Sequence, residues 1–286
     1  IQVSPFGYVK LHDILAYDHK QDTLLYVGYA RLNTLRLRAI LQGDNDLGNM
    51  FLKDVRFNST LYKNENESNV NQFFDRFSSD ESTKAKTEIV ASSISLVDAS
   101  IRIQNQNNSS GNAQRFTALN ADIQNFRLDG NVISADIKQL NAKTNWNDTA
   151  LTSLAGKYQF STTSMVLENA VIQTKESVHN VDIRLAYPNG GLKDFIDKVN
   201  LSVELKPSSI GVSDLKKIIP NWKGKSIKLK GGIDGFVKDF TTQGVQINHQ
   251  NTIAGLDGKI KNIFDVDSRS IEVDLKLVTV DNLDSI

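Results

Sequence analysis

From Ser226 to Lys238 the chain alternates without a break. Ile227, Leu229, Gly231, Ile233, Gly235 and Val237 share one parity, and Ser226, Lys228, Lys230, Gly232, Asp234, Phe236 and Lys238 share the other. Successive side chains of an extended strand point to opposite faces, so this spelling gives one apolar or small face and one mostly wet face. The pattern recurs in Val199, Leu201, Val203 and Leu205, in Val181, Ile183, Leu185 and Tyr187, and in Ile271, Val273, Leu275 and Leu277, each set interleaved with polar residues. Rougher versions include Leu35, Leu37, Ala39 and Leu41 around Arg36 and Arg38, Ile101 and Ile103 around Arg102, and Ile123 continuing the face of Leu119 and Ala121. Phase slips at Leu96-Val97 and Leu277-Val278 predict turns or bulges.

This rhythm predicts roughly 15 to 18 short strands joined by Asn, Asp, Gly and Ser turns, in an antiparallel sheet wet on one side. Three segments follow a 3.6-residue period instead. They are Val70, Phe73, Phe74 and Phe77 after Ser68 at the cap position, Leu192, Phe195, Ile196 and Val199 after Gly190-Gly191, and Leu215, Ile218 and Ile219 after Ser213, stopped by Pro220. Each is about two turns long, so they predict covers at sheet edges and ends, not a layer. Linkers are expected at 63–69, 78–86 and 104–114; the last has a run without apolar residues and predicts a mobile, solvated loop. None marks a domain boundary, because the strand pattern resumes on the far side. The expectation is one continuous segment, 1–286, of a longer chain.

Composition removes several functions. The 286 residues carry 33 Lys and Arg against 33 Asp and Glu, a formal net charge of zero, so the electrostatic footprint of nucleic-acid binding is missing. There is no Cys, hence no disulfide framework and no thiolate zinc, and only four His remain. No apolar run approaches the ~20 residues of a membrane-spanning helix.

Motifs with catalytic or metal-binding chemistry are weak. His12-Asp13 with Asp18-His19 and Asp22 gathers five titratable residues that a folded turn could offer to a divalent metal, against the alternative of a polar hairpin. His179 and His249 stand alone and read as surface or edge residues. Gly224-Lys225-Ser226 imitates the end of a phosphate-binding loop, but Ile219 occupies the first Gly position and a strand follows where a helix is needed. Gly231-Gly232-Ile233-Asp234-Gly235 lacks dinucleotide-binding spacing, and its glycines read as relief of curvature or crowding. Asp265-Val266-Asp267 starts like a calcium loop but has Ser270 at the required Gly. The triplets Asn66-Glu67-Ser68 and Asn147-Asp148-Thr149 are what an Asn- and Ser-rich chain produces by chance. A glycan-acting enzyme would need paired carboxylates in a cleft, for which Asp234 and Asp274 are candidates only by being strand-exterior acids. The reading is of a protein that is not an enzyme, with no cofactor and no metal site.

What remains is the apolar face. So many strands at ~4.8 Å each exceed one compact core. The face must close into a barrel, fold into a sandwich, wind as a solenoid, or curl into a trough open to a hydrophobic ligand. The aliphatic inner positions suit a trough lining, for which the candidates are Leu35, Leu37, Ile101, Ile103, Ile123, Ile183, Leu185, Leu201, Val203, Leu205, Ile227, Leu229, Ile233, Val237, Ile271, Val273 and Leu275.

The C-terminal third adds a resemblance. Ser213-Asp214-Leu215-Lys216-Lys217-Ile218-Ile219-Pro220, then Gly224, then Ile227 to Gly235 resembles the repeat of the TamB/AsmA-like family, a short helix closed by Pro before a strand with Gly at alternate positions. Val245-Gln246-Ile247, Ile253 to Ile260 and Ile271 to Leu277 are similar to the strands that follow. Upstream, Asp18-His19-Lys20-Gln21-Asp22-Thr23-Leu24-Leu25-Tyr26 resembles a DHxxDTLxY stretch of such proteins from Bacteroidetes-type bacteria, and Asn69 to Phe77 fits their next helix. The resemblance implies a mostly β fold, a long antiparallel curled sheet (β-taco or trough) with two or three short helices. It also implies a periplasmic segment tethered to the inner membrane by residues outside this chain, and an Omp85-type outer-membrane barrel partner met through parts not in this chain. The implied activity is bridge-like phospholipid transfer supporting outer-membrane biogenesis. Assistance of outer-membrane protein assembly and a dry-cored structural or adhesive β-solenoid are the alternatives.

Overall fold

Apart from 35–41, which lies mostly outside the described residues, the alternating segments become strands and the three 3.6-period segments become helices in the computed structural model, which describes residues 2–4, 7–33, 39, 42, 44–78, 88–107, 112–145, 150–188, 195–262 and 268–279. The chain divides into two compact units, Ile1–Gln159 and Phe160–Ile286. The first holds β1 (Gln2–Ser4), β2 (Tyr8–Tyr17), β3 (Thr23–Asn33), β4 (Asn49–Leu61), α1 (Asn69–Ser78), β5 (Glu88–Asn105), β6 (Gln114–Asp129) and β7 (Val132–Thr144), with β8 (Ala150–Phe160) running to its boundary. The second holds β9 (Ser164–Gln173), β10 (Val178–Ala186), α2 (Phe195–Lys198), β11 (Asn200–Ile210), α3 (Val212–Ile218), β12 (Ile227–Phe236), β13 (Phe240–His249), β14 (Thr252–Lys261) and β15 (Ser270–Thr279).

Strands pair in chain order from β1 to β7 and again from β9 to β15, and among the described residues no ladder joins the first strand of either set to its last. The protein is therefore mostly β, about 70% strand, with a curled, unclosed sheet in each unit and three short helices. The antiparallel expectation fails at one place. β4 and β5 are parallel, with Leu52 opposite Leu96 and Phe57 opposite Ile101. A parallel pair cannot be joined by a tight turn, and residues 62–87 supply the long crossover, with α1 packed against β4. At its start the Asn71 N–H donates to Ser68 Oγ at 3.3 Å, the cap foreseen from the sequence.

Bulges supply the bending. Asp13, Asp54, Asp98, Ala118, Asn125 and Asn169 have φ between 47° and 54° inside strands, mostly Asp and Asn, which tolerate the left-handed region. The Leu96-Val97 slip is one of these bulges, with the register shifting between Leu96 and Ala99. Leu277-Val278 is not one: β14 and β15 pair without interruption from Lys261 to Thr252. A bulge leaves an amide without its ladder partner, and here the next strand repeatedly supplies one. Asn120 Oδ1 accepts from the Asp98 N–H at 3.1 Å, Asp182 Oδ1 from the Asn169 N–H at 2.5 Å, and Asp257 Oδ1 from the Gly244 N–H at 2.5 Å. Where no side chain fits, glycine takes the bend. Gly231 and Gly235 both have φ of 134°, and a Cβ would stand 2.5 Å from Val245 Cα at the first and 2.6 Å from the Asp239 carbonyl oxygen at the second. Crowding at a bend, as read from the sequence, is their role.

Ala118 is the exception, an exposed alanine at φ 47° whose side chain favours nothing about that conformation. Ala118→Gly is expected to raise stability by about 0.5–1 kcal/mol in urea denaturation, since relief of left-handed strain outweighs the entropy cost of glycine.

Candidate functional site

Register turns the alternating segments of the second unit into continuous apolar rows. Met165, Leu185, Leu201, Gly235, Phe240, Ile260 and Ile271 stand side by side across β9 to β15. Leu167, Ile183, Val203, Ile233, Thr242, Gly258 and Val273 form the next row. Beyond the bulges come Ala170, Val181, Leu205 and Gly231, then Val245, Leu256 and Leu275. Six interstrand steps of ~4.8 Å make each row about 29 Å long, longer than the ~15 Å hydrocarbon depth of one bilayer leaflet.

The decisive property of these rows is that, among the described residues, no second layer covers their middle. β11 and β12 are flanked by strands on both sides, yet Leu201, Val203, Leu205, Leu229 and Ile233 are only half-buried. On β15 Ile271, Val273 and Leu275 are 60%, 42% and 55% exposed. A second layer packed on this face would bury such central residues almost fully.

Both ends of the face are closed. At one end Leu185, Tyr187 and Val199 form a buried cluster with Phe160, Met165, Ile183, Leu201 and Val237 around it, and the Tyr187 hydroxyl donates to the Ser161 carbonyl at 2.9 Å. Val237 thus joins this end cluster just past β12. At the other end Leu215 of α3 is 3% exposed, and Ile227, the first residue of β12, is 9% exposed. Asp214 accepts from the hydroxyls of Thr174 and Ser177, Ser177 Oγ accepts from the Gly211 N–H at 3.0 Å, and Glu176 Oε2 accepts from the Ser213 N–H at 2.9 Å. Burial raises the Asp214 pKa, but the bonds from Ser177, Thr174 and Lys217 outweigh it and hold the carboxyl below its usual range. His179 shares the face of Val181 and is half-buried there, not on the surface as the sequence suggested. Burial lowers its pKa against the pull of Asp214.

The first unit carries an apolar face with a buried floor beneath half-buried larger residues. Leu11, Ala30, Leu52, Leu96, Ala121 and Leu140 form one row across β2 to β7. Small residues form its floor: Ala30, Ala99, Ala121 and Ala142 are 1–4% exposed, with Val27, Val55 and Leu119 also buried. Leu52, Leu96, Ile101, Phe116, Ile123 and Leu140 pack over them. Of the residues predicted to line a trough, Ile101 and Ile123 therefore belong to a largely filled cluster, and Ile103, 44% exposed, lies outside it. Leu35 and Leu37 lie outside the described residues.

Titratable residues near the N-terminus separate into two places. His12 stacks edge-on against Tyr29 with ring centres 5.3 Å apart, and Asp13 accepts from the Tyr26 hydroxyl at 2.8 Å. Asp18, His19 and Asp22 sit in the β2–β3 turn. Asp18 is 1% exposed and takes the amides of Lys20 and Asp22 on Oδ1 and the donors of Tyr62 and Asn69 on Oδ2, at 2.7–3.0 Å. Its burial favours the neutral acid, but these four bonds prevail and lower its pKa. Glu65 receives His19 at 2.9 Å, Lys20 at 2.9 Å and Gln72 at 3.0 Å, and the Lys20 and His19 contacts bring its pKa down to about 2. The segment 63–69, expected to be a linker, is thus fixed in place. Asn69, 1% exposed, bridges Asp18 and the Thr60 N–H, and Asn107 docks on the same loop through Asn64, Tyr62 and Glu65. The start of the 104–114 loop is accordingly held, contrary to expectation; 108–111, most of 78–86, and Asp265 to Asp267 lie outside the described residues. Among the described residues no three His, Asp or Glu side chains gather as a metal site. Asp234 and Asp274 lie three strands apart, about 14 Å, beyond the spacing of a glycosidase pair.

The sequence signal that marked the apolar rows was period two; the polar knot had none except the run Asp18 to Tyr26. No model of a known protein family matches the chain, and no curated protein matches it.

Asn69→Ala removes a donor from buried Asp18 and an acceptor from Thr60, and is expected to cost about 2–4 kcal/mol in urea denaturation. Glu65, Asp18, Asp182, Glu176 and Asp214 all have lowered pKa values in the folded state. Protons therefore bind the unfolded chain first as pH falls. Stability should hold above about pH 5, where both states are ionised, and decline from there toward pH 2, in denaturation midpoints taken across that range.

Proposed function

We propose that this chain is a segment of a bridge-like phospholipid carrier, non-enzymatic, that holds acyl chains along the apolar face of β9 to β15. The observation that supports the reading is the pairing of mostly apolar rows with half-buried side chains at their centre. Such a face has an unmet demand for apolar contact, and lipid tails have the same demand. Drawing a two-chain lipid of ~30 methylenes into water costs about 24 kcal/mol at ~0.8 kcal/mol each, so movement between membranes needs a continuous lining. Similar contacts at every strand keep any one position from holding the lipid tightly. The head group needs no dedicated chemistry if it stays at the open seam.

The ordered motifs shared with the TamB/AsmA-like family support the same reading. They extend it to a periplasmic segment tethered to the inner membrane by residues outside this chain, working with an Omp85-type barrel to support outer-membrane biogenesis. The filled alanine floor of the first unit favours a second reading for that part, a dry structural sheet that positions its neighbours. Native mass spectrometry of the purified chain distinguishes them: copurified phospholipid supports the carrier, and a lipid-free protein that also takes up none on incubation rejects it.

Val203→Asp places a charge in mid-row on a half-buried site, where folding tolerates it. It is expected to lower crosslinking of a photoactivatable acyl chain at least about tenfold, while circular dichroism stays unchanged. Crosslinking equal to the parent would remove the carrier reading.

A further inference from the structure

Charge is balanced over the chain but not at the α3 end of the second unit. Between Val212 and Lys230 six lysines, Lys216, Lys217, Lys223, Lys225, Lys228 and Lys230, face one acid, Asp214. All six are exposed. Elsewhere Lys20 pairs with Glu65, Lys206 with Asp182 and Lys238 with Asp197 at 2.8–2.9 Å. Here Lys217 reaches Asp214 at 3.4 Å, and the other five form no ion pair among the described residues. The nearby carboxylates are already engaged, Asp214 by Thr174 and Ser177 and Glu176 by the Ser213 amide. Lys228 and Lys230 occupy alternate positions of β12, so they share its outer face while Ile227 and Leu229 take the apolar one. Such an arrangement leaves six lysines with only Asp214 and Glu176 as nearby acids, both already hydrogen-bonded.

The loop joining α3 to β12 adds apolar anchors beside these charges. Ile219 is 47% exposed. Trp222 is half-buried, its indole N–H donating to the Lys225 carbonyl at 3.0 Å and its ring meeting His249 edge-on with centres 5.3 Å apart. His249 Nε2 accepts from the Lys225 N–H at 3.2 Å, which fixes the loop against β13. A tryptophan with its polar atom satisfied, an exposed isoleucine and a cluster of lysines, five of which form no ion pair among the described residues, is the chemistry of a lipid–water interface, where rings sit at head-group depth and ammonium groups meet phosphates.

We propose that this rim docks on a membrane surface through anionic phospholipid head groups, with Trp222 and Ile219 entering the interface. The charges and anchors carry this inference without the acyl-chain reading.

The test is co-sedimentation of the whole chain with phosphatidylcholine vesicles, with and without phosphatidylglycerol. Partition onto the anionic vesicles should exceed that onto neutral ones at least about tenfold and collapse at high salt. Each lysine contributes about fivefold at an anionic surface, so the quadruple variant Lys216→Gln, Lys223→Gln, Lys225→Gln and Lys228→Gln should lose about a hundredfold or more. The corresponding four Lys→Arg changes should retain binding, and Ile219→Ser should weaken it without changing salt dependence. Thermal midpoints confirm that each variant folds. Equal partition onto neutral and anionic vesicles, undiminished binding by the quadruple Gln variant, or binding of an acidic peptide or DNA oligonucleotide with none of anionic vesicles would overturn the proposal. Val203→Asp keeps the two readings apart: it should leave vesicle binding intact, and the quadruple Gln variant should leave acyl crosslinking in detergent intact.

Discussion

A sheet one layer thick has no second layer to share its stability with, so its backbone hydrogen-bond ladders must carry the fold. This constraint explains why so many details of the chain concern amides. Every bend in a ladder strands an N–H, and an unpaired amide costs as much as a lost hydrogen bond. The chain answers with Asn120, Asp182 and Asp257, each reaching from the next strand to the bulge it faces. These residues look like ordinary wet-face polars, yet they let the sheet curl without opening. Asp182 is held further by Lys206 at 2.8 Å, which joins β10 to β11 on the outer face.

The same constraint leaves the apolar side to find its own cover. The two units resolve it in different ways. In the first, alanine floors let larger neighbours lean inward and fill the space. In the second, Ala170, Val181 and Leu185 are buried at one side of the face, and Val203, Ile233, Leu205 and Leu229 stay half-buried.

Strand content, the three helices and the apolar parity could be read from the sequence because each depends on spacing within a few residues. Ile227 to Gly235 announces both its conformation and its inner face. The parallel pairing of β4 and β5 could not be read, since it depends on where a crossover returns, and Phe57 and Ile101 carry no mark of their shared direction. Lys63 to Asn69 looked like a linker because polar residues in a row resemble solvated chain. Their order comes from partners 40 or more residues away, such as Glu65 with His19 and Asn69 with Asp18. The filling of the first unit was equally hidden: Ala99 and Leu119 satisfy the same alternation as Leu205 and Leu229, and only cross-strand register shows which neighbours overshadow them. Comparison with known families adds nothing to these particulars, so the residues themselves bear the reading.

The parallel step between β4 and β5 also changes the wiring of the first unit. In a plain meander, successive connections alternate between the two rims. Two neighbouring strands that run the same way both finish on one rim, so the connections after Leu61 and after Asn105 emerge together, on the side where the β2–β3 turn already lies. Three loops that a regular zigzag would share between opposite edges are thereby collected on one, and Tyr62, Glu65 and Asn107 can lace them to Asp18 and His19. One reversal of direction gives that edge a knot where a zigzag would leave separate hairpins.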